Sequence, residues 1–337
     1  MRLLIIGGTS FLGRATAEEA LRRGDEVTTF NRGRSGPDVE GVEALRGDRG
    51  TEEDLAVLAG RHFDVVVDTC GFVPQVVGRS VRVLQDSGAH YVFVSSISAT
   101  PTWPGAPTPD GLDGQPCASD AGPEDGDYGV LKAGCERAVA EAFGDRSTIA
   151  RAGLIIGPHE NVGRLPWWLG RIAAGGEVLA PGDPDLPLQL IDARDLGAFL
   201  LDSGTSGTPG TFNVSGPRGN ATMGSWLGDA VAATGSDARL TWVDDAFLLE
   251  REVEAWTELP LWMPQGRDGD HVWDAETGEA ERAGLRVRPV TETVRDTWTW
   301  MQGGGRAAED PPHAHLARHG IDPDKEQRIL ADWHARS

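Results

Sequence analysis

Two short groups of residues carry the functional groups of proton-transfer chemistry. Ser95-Ser96-Ile97-Ser98 follows an apolar run, and Tyr128-Gly129-Val130-Leu131-Lys132 opens a stretch of helical pattern ending near Phe143. Tyr128 and Lys132 are four apart, so on a helix they share a face. A phenol normally ionises near about pH 10. An ammonium beside it lowers that value and lets the phenol exchange a proton near neutrality. The chain has only two tyrosines, and this one arrives after a strand that ends in serines. The carboxyl end of a strand is where active groups collect in open α/β sheets.

The element that would serve such a pair lies at the N-terminus. Residues 3–6 form a short, branched apolar run suited to a buried parallel strand. Gly7-Gly8-Thr9-Ser10-Phe11-Leu12-Gly13 then turns the chain into 11–23, where Leu12, Ala15, Ala20 and Leu21 can share a helix face. A strand, a glycine turn and a helix make a dinucleotide site. Gly7 and Gly8 let the backbone bend and approach a pyrophosphate, and Gly13 lets the helix pack on the strand. The N–H groups at the helix start favour phosphate charge. About 20 residues further on, an NAD site places an acid on the ribose 2′-OH. Here the second strand, 26–30, runs into Asn31-Arg32-Gly33-Arg34, with no acid and two guanidinium groups suited to a 2′-phosphate. The cofactor expected is therefore NADP(H), with NAD(H) as the alternative.

Further strands are expected at 42–45, 63–68, 90–94 and 147–151, and helices at 51–59, with Thr51 as N-cap, and 73–85. The fold class is α/β, a Rossmann doubly wound parallel sheet with a smaller C-terminal α/β substrate lobe. Residues 1–157 form the cofactor domain, with a return segment at about 188–214, and 158–187 and 215–302 form the lobe. Residues 303–337 are a linker and a last helix, 323–335, docked by Ile329, Leu330 and Trp333. Within the lobe, helices are expected at 165–174, 222–234, 244–254 and 291–301. Residues 100–127, rich in Pro, Gly and Asp, form a long loop read as a flap beside the substrate site.

A net charge of −21 argues against partners whose binding neutralises phosphates, so neither nucleic acid nor an anionic membrane is expected. Cys70, Cys117 and Cys135 show neither disulfide nor metal-ligand spacing, which is an intracellular pattern. No apolar run approaches a membrane span, and a cytoplasmic protein with a small-molecule substrate is expected.

Together with Arg151-Ala-Gly-Leu-Ile-Ile-Gly-Pro158, these motifs resemble the extended short-chain dehydrogenase/reductases over roughly residues 1 to 300. More narrowly, the chain is similar to bacterial NAD-dependent epimerase/dehydratase proteins, in a reductase-like subset with the Gly-Gly-Thr-x-Phe-Leu-Gly turn. One departure is Ser10, where the family's Gly-x-x-Gly-x-x-Gly pattern has its middle glycine. The resemblance implies that Ser96 orients the substrate oxygen, Tyr128 is the acid/base, and Lys132 tunes Tyr128 and holds the nicotinamide ribose. Ser95 and Ser98 are stand-ins for Ser96. It also implies that residues 7–13, Asn31, Arg32, Arg34, Asp48, Cys70, Gly71 and Ser95 line the cofactor. His159, Arg171, Gln189 and Asp192 are the substrate-side candidates. Related sugar-nucleotide dehydratases follow the catalytic Ser/Thr with Asp-Glu, whereas this chain has Ile97 and Ser98, so β-elimination lacks its catalysts.

The leading expectation is an NADP(H)-dependent oxidoreductase interconverting a secondary alcohol and a ketone, with a sugar or a nucleotide-linked compound as the candidate substrate. The alternative is an NAD-dependent sugar epimerase. A third class is a non-catalytic cofactor sensor or an RNA-binding protein, as in chloroplast stem-loop RNA-binding relatives. The acidic chain opposes RNA, and the intact Ser96, Tyr128 and Lys132 oppose a sensor. Such proteins often dimerise through a four-helix interface, here involving 75–85 and 133–142, and both monomer and homodimer are open.

Overall fold

The computed structural model describes residues 1–266, 269–306 and 319–336. Residues 307–318, expected within the linker, lie outside the described residues. The chain divides into two compact units. The first comprises Met1–Ile155, Ile191–Gly216 and Asp274–Val287, and the second Ile156–Leu190, Pro217–Trp273 and Arg288–Ser337.

The first unit is built on a seven-stranded parallel sheet. Its strands are β1 (Arg2–Ile6), β2 (Glu26–Asn31), β3 (Glu43–Arg46), β4 (Val65–Asp68), β5 (His90–Ser96), β6 (Ser147–Ala152) and β7 (Gly210–Val214). Their order across the sheet is β7-β6-β5-β4-β1-β2-β3. The order reverses between β1 and β4, which opens the crevice at the carboxyl ends where this architecture places ligands.

Side chains alternate across a strand, and both faces are covered, so the strands read as continuous apolar runs. Leu3 and Ile5 of β1, Val65 and Val67 of β4, and Val92 and Val94 of β5 share one core. Helices α1 (Phe11–Arg22) and α5 (Ala193–Ser206) close it through Leu12, Ala17, Leu196 and Phe199. Leu4, Ile6, Val66, Tyr91 and Phe93 face the other way, under α3 (Pro74–Leu84) and α4 (Tyr128–Phe143). Asp274–Val287 joins the first core through Ala280 and Leu285.

Two expected helices come out shorter. The 51–59 segment is a single turn, α2 (Glu52–Leu55), followed by a 3₁₀ turn at Ala56–Leu58. Thr51 stands at its N-cap position as expected, but its side chain accepts no capping bond and donates instead to Asp48 O (3.2 Å). In the second unit the 244–254 segment is helical only over Asp245–Glu250. Glu252 takes φ +54°, Val253 N donates to Leu248 O and Glu252 N to Leu249 O. That is the paired closure that ends a helix, here without the usual glycine, and buried Val253 and Leu248 supply its apolar contact.

The second unit pairs Glu177–Pro181 with Arg239–Val243 in parallel and buries Trp168, Trp226 and Trp262 completely. Its last helix, Pro323–His334, docks through Ile329 and Leu330. Trp333 packs edge-on against Phe247 at 4.9 Å. Buried Glu326 fastens the helix by accepting from Leu179 N (3.0 Å) and Arg171 Nε (2.7 Å).

The 100–127 loop is tied to the first unit along its length. Thr108 pairs with the Asp274–Glu276 backbone. Residues 112–121 lie along α4, where Arg137 donates to Cys117 O and Gly114 O, and Gln75 N donates to Ala121 O. Gly134 is the close-approach point, since a Cβ there would sit 2.5 Å from Pro74 Cγ, 2.6 Å from Cys117 Sγ and 2.8 Å from Ala118 O. Leucine at Gly134 has to push this segment off the helix. Gly134→Leu is expected to cost at least about 1–3 kcal/mol, read as a lower urea midpoint at unchanged slope.

Beneath β4 lies a buried ion pair. Arg49 meets Asp68 with two 2.7 Å bonds, and Tyr91 Oη donates to the same carboxylate (2.8 Å). Burial pushes the Asp68 carboxyl up, but the Arg49 charge and these donors outweigh it and hold the group below its ordinary value. Burial and the Asp68 charge push the Tyr91 phenol well up, so it stays a donor. Because the folded-state pKa of Asp68 is depressed, its contribution to stability is present at neutral pH. It is lost as pH falls below about 4 and through the folded-state value. Asp68→Asn leaves Arg49 charged and buried, and should cost about 3–5 kcal/mol at pH 7. Unfolding followed against pH should also show the variant losing part of the wild-type acid slope.

Candidate functional site

The carboxyl ends of β1, β2, β4 and β5 surround the glycine turn. Gly7 and Gly8 take φ +115° and +95°. A Cβ on Gly7 would lie 2.5 Å from Thr69 Oγ1, and one on Gly8 2.7 Å from Thr29 Cγ2. A Cβ on Gly13 would meet Gly8 N at 2.7 Å, so α1 can approach the turn only with glycine there. Ser10 is the N-cap of α1 with φ −141°. That is ordinary extended backbone, so the position has no need of the glycine the pattern expects. The strain falls one residue later, on buried Phe11 at φ +41°. Phe11 packs with Ala15, Ala193 and Ile155. The result is a bare-backbone cradle at a helix N-terminus, which fits a dinucleotide pyrophosphate.

Asn31 ends β2 with its side chain turned toward that cradle. Its Nδ2 donates to Gly7 O (3.0 Å), and its Oδ1 accepts from Gly33 N (2.8 Å) and Arg46 (3.2 Å). Arg32 and Arg34 are exposed on the loop that follows, and Arg32 lies 3.8 Å from Asp48. Asp48 is itself held by Gly50 N (2.8 Å). At the end of β4, Asp68 accepts from Cys70 N (3.2 Å), and Cys70 Sγ points to Ile6 O (3.4 Å). Burial pushes the Cys70 thiol up, so it stays protonated.

Asp127 starts α4 by accepting from Val130 N (3.0 Å), which leaves Tyr128 at the helix tip, 36 % exposed. Lys132, one turn on, is 3 % exposed. Its Nζ donates to Gly71 O and Val94 O, each at 2.7 Å. It lies 4.8 Å from the Phe93 ring centroid, 5.1 Å from that of Phe72 and 6.0 Å from that of Tyr128. An ammonium has three protons, and these two carbonyls take two. A Cβ on Gly129 would lie 2.2 Å from Ser98 O, so the start of α4 sits directly on the turn after β5. There Ser96 Oγ and Ser98 Oγ share a 2.8 Å hydrogen bond.

Ser95 points to the opposite face, as alternation along a strand requires. Its hydroxyl is bound by buried Glu136 (2.5 Å), which also takes Arg151 (2.6 Å). Asp192 caps α5 through Arg194 N (2.8 Å) and ion-pairs with the Arg194 side chain (2.7 Å). Arg171 is bound to Glu326 and to the carbonyls of Gly175 and Glu177. Gln189 is buried in the second unit. In the same unit His159 takes φ +65° and meets Trp300 at 5.1 Å.

Nothing in the sequence marks Arg46, Arg49, Tyr91 or Phe93 as part of this region. Asp68 carries a signal, as the acid that closes an apolar strand, but its partner cannot be read from the sequence. Among the described residues no group of three or more His, Cys, Asp or Glu is arranged to hold a metal. No helix among them is long and apolar enough to cross a membrane.

The same architecture occurs in solved structures. UDP-glucose 4-epimerase from Thermotoga maritima is 15% identical, with 90% of this chain and 99% of that one covered and a TM-score of 0.67. The Bordetella bronchiseptica enzyme WbmG, solved with NAD and UDP, is 18% identical over 94% and 98% of the two chains at a TM-score of 0.66. UDP-N-acetylglucosamine 4-epimerase from Bacillus cereus is 16% identical over 89% and 99% at 0.64. At such identities the likeness shows the fold. A search of curated proteins found no match. Residues 3–215, which hold the glycine turn, the serine turn, Tyr128 and Lys132, match the NAD dependent epimerase/dehydratase family, and the chain belongs to that family of enzymes.

Proposed function

We propose that the protein is an NADP(H)-dependent oxidoreductase that interconverts a secondary alcohol and a ketone. The observation that carries this reading is the end of β2, where Asn31 is turned in toward Gly7 O and Arg32 and Arg34 are exposed. A neutral amide and two guanidinium groups suit a 2′-phosphate, and a carboxylate would suit a 2′-hydroxyl. Residues 7–13 at the start of α1 would hold the pyrophosphate, Asp48 the adenine edge, and Cys70, Gly71 and the third proton of Lys132 the nicotinamide side. When bound, the nicotinamide supplies or accepts the hydride. Tyr128 gives a proton to the substrate oxygen on reduction and takes it on oxidation, and the Ser96 hydroxyl, backed by Ser98, orients that oxygen. Sugars and nucleotide-linked sugars head the substrate classes to test, with His159, Arg171, Gln189 and Asp192 as substrate-side candidates.

Nucleotide-sugar epimerisation is the second reading, favoured by the names of the structures that share the fold. It oxidises and re-reduces one carbon with no net redox change, and so gains nothing from NADPH. Calorimetric titration with NADPH and NADH, beside Arg32→Ala, separates the two. Tight NADPH binding that Arg32→Ala weakens selectively is expected. NADH preference, or NAD that co-purifies and resists dialysis, puts epimerisation first. With a turned-over substrate in hand, Tyr128→Phe should lower kcat by about 10²–10⁴ while NADPH binding is retained.

The reading also takes the α3–α4 face as closed to a second copy, because residues 112–121 already lie on it. Light scattering behind a size-exclusion column should give the mass of one chain. A dimer that dissociates on substituting exposed Gln75 or Arg82 would overturn this.

A further inference from the structure

Arg46 ends β3 in register with Asn31 at the end of β2. Its guanidinium donates to Asn31 Oδ1 (3.2 Å) and pairs with Asp38. The loop between these strands wraps around it. Gly33 takes φ +68°, and a Cβ there would come within 2.8 Å of Arg46 Nε. A Cβ on Gly36 would come within 2.9 Å of Thr9 O, so the loop folds back onto the glycine turn. Val39 then anchors it in the core. Arg46 keeps 46% of its side-chain surface exposed, while Asp38 Oδ1 is buried without a hydrogen bond.

We propose that Arg46 is a specificity-determining residue for the cofactor's 2′ position and that Asp38 is its internal competitor. This rests on the NADP(H) reading above and adds a residue and a device to it. The end of β2 faces the ribose in this architecture, and a guanidinium is a planar fork for carboxylate or phosphate. Without cofactor, the Asp38 carboxylate holds that fork. A 2′-phosphate carries more charge than a carboxylate and takes the same fork, which releases Asp38. A 2′-hydroxyl cannot make this exchange and leaves the pair in place. The preference for NADP(H) is thus the difference between two anions on one arginine, smaller than three unopposed arginines would give and adjustable through Asp38.

The test titrates the full-length protein with NADPH, NADH and adenosine 2′,5′-bisphosphate at one fixed ionic strength. The variants are Asp38→Asn, Arg46→Ala and Arg46→Lys. Asp38→Asn should tighten NADPH and the bisphosphate several-fold and leave NADH unchanged. Arg46→Ala should weaken NADPH by about tenfold or more, with NADH little altered and Arg46→Lys recovering part of the loss. A purely structural role, exerted through Asn31 and the turn, would move both cofactors together, and equal shifts overturn the assignment. If wild type prefers NADPH but the variants leave the ratio unchanged, Arg46 alone is refuted. A wild type that prefers NADH overturns the NADP(H) reading and this one with it.

Discussion

The buried ammonium of Lys132 is the constraint on which the candidate site depends. It joins Gly71 O, in the loop after β4, to Val94 O, near the end of β5. A buried cation is costly unless hydrogen-bonded, and these carbonyls converge only once β4 and β5 are paired and α4 is laid over them. Around it stand the faces of Phe93 and Phe72, which exclude water and add an attraction of their own. Tyr128, one turn earlier on the same helix, is placed by the same anchoring. The residue proposed to serve the chemistry is therefore also the one that ties α4 to the ends of β4 and β5.

Next to it, Asp68 does for β4 what Lys132 does for α4. It ends the strand, takes Arg49 and Tyr91 from neighbouring elements, and accepts from Cys70 N. The loop passing from Asp68 to Phe72 is therefore held by a carboxylate at its start and an ammonium at Gly71. Such a loop is set before any ligand arrives. That preorganisation lowers the ordering cost of binding.

What the sequence made legible was whatever local pattern decides. The sheet strands, the glycine turn and the helix that opens at Tyr128 follow from apolar runs, glycine and period, and each is found within a residue or two at its ends. The 244–254 helix overshoots because Glu252 takes a left-handed conformation that nothing in its type announces. Choosing between Ser95 and Ser96 needed the strand register. Strand β5 runs through Ser96, so the two hydroxyls face opposite sides, one toward Glu136 and the other toward Ser98. Partners distant in sequence were not legible at all. Arg171 stands beside Trp167 and Trp168 in the sequence, but nothing local reveals that Glu326, 155 residues on, is its partner. The return of 274–287 to the first unit has no signal beyond a few scattered apolar residues, Ala280, Ala283, Leu285 and Val287.

The acidic composition also takes on a more specific meaning. A net charge of −21 describes the field far from the surface, where salt screens it within about 10 Å. Binding is decided at contact distance. There the ends of β2 and β3 bring Arg32, Arg34 and Arg46 onto one loop system. Arg49, adjacent in sequence, adds nothing to this field, because Asp68 neutralises it in the interior. Asp48 lies 3.8 Å from Arg32, and Asp38 holds Arg46 directly. An anionic ligand at this loop would therefore meet guanidinium groups already partnered to different degrees, and under the proposed reading its selectivity would depend on which of those partners it displaces.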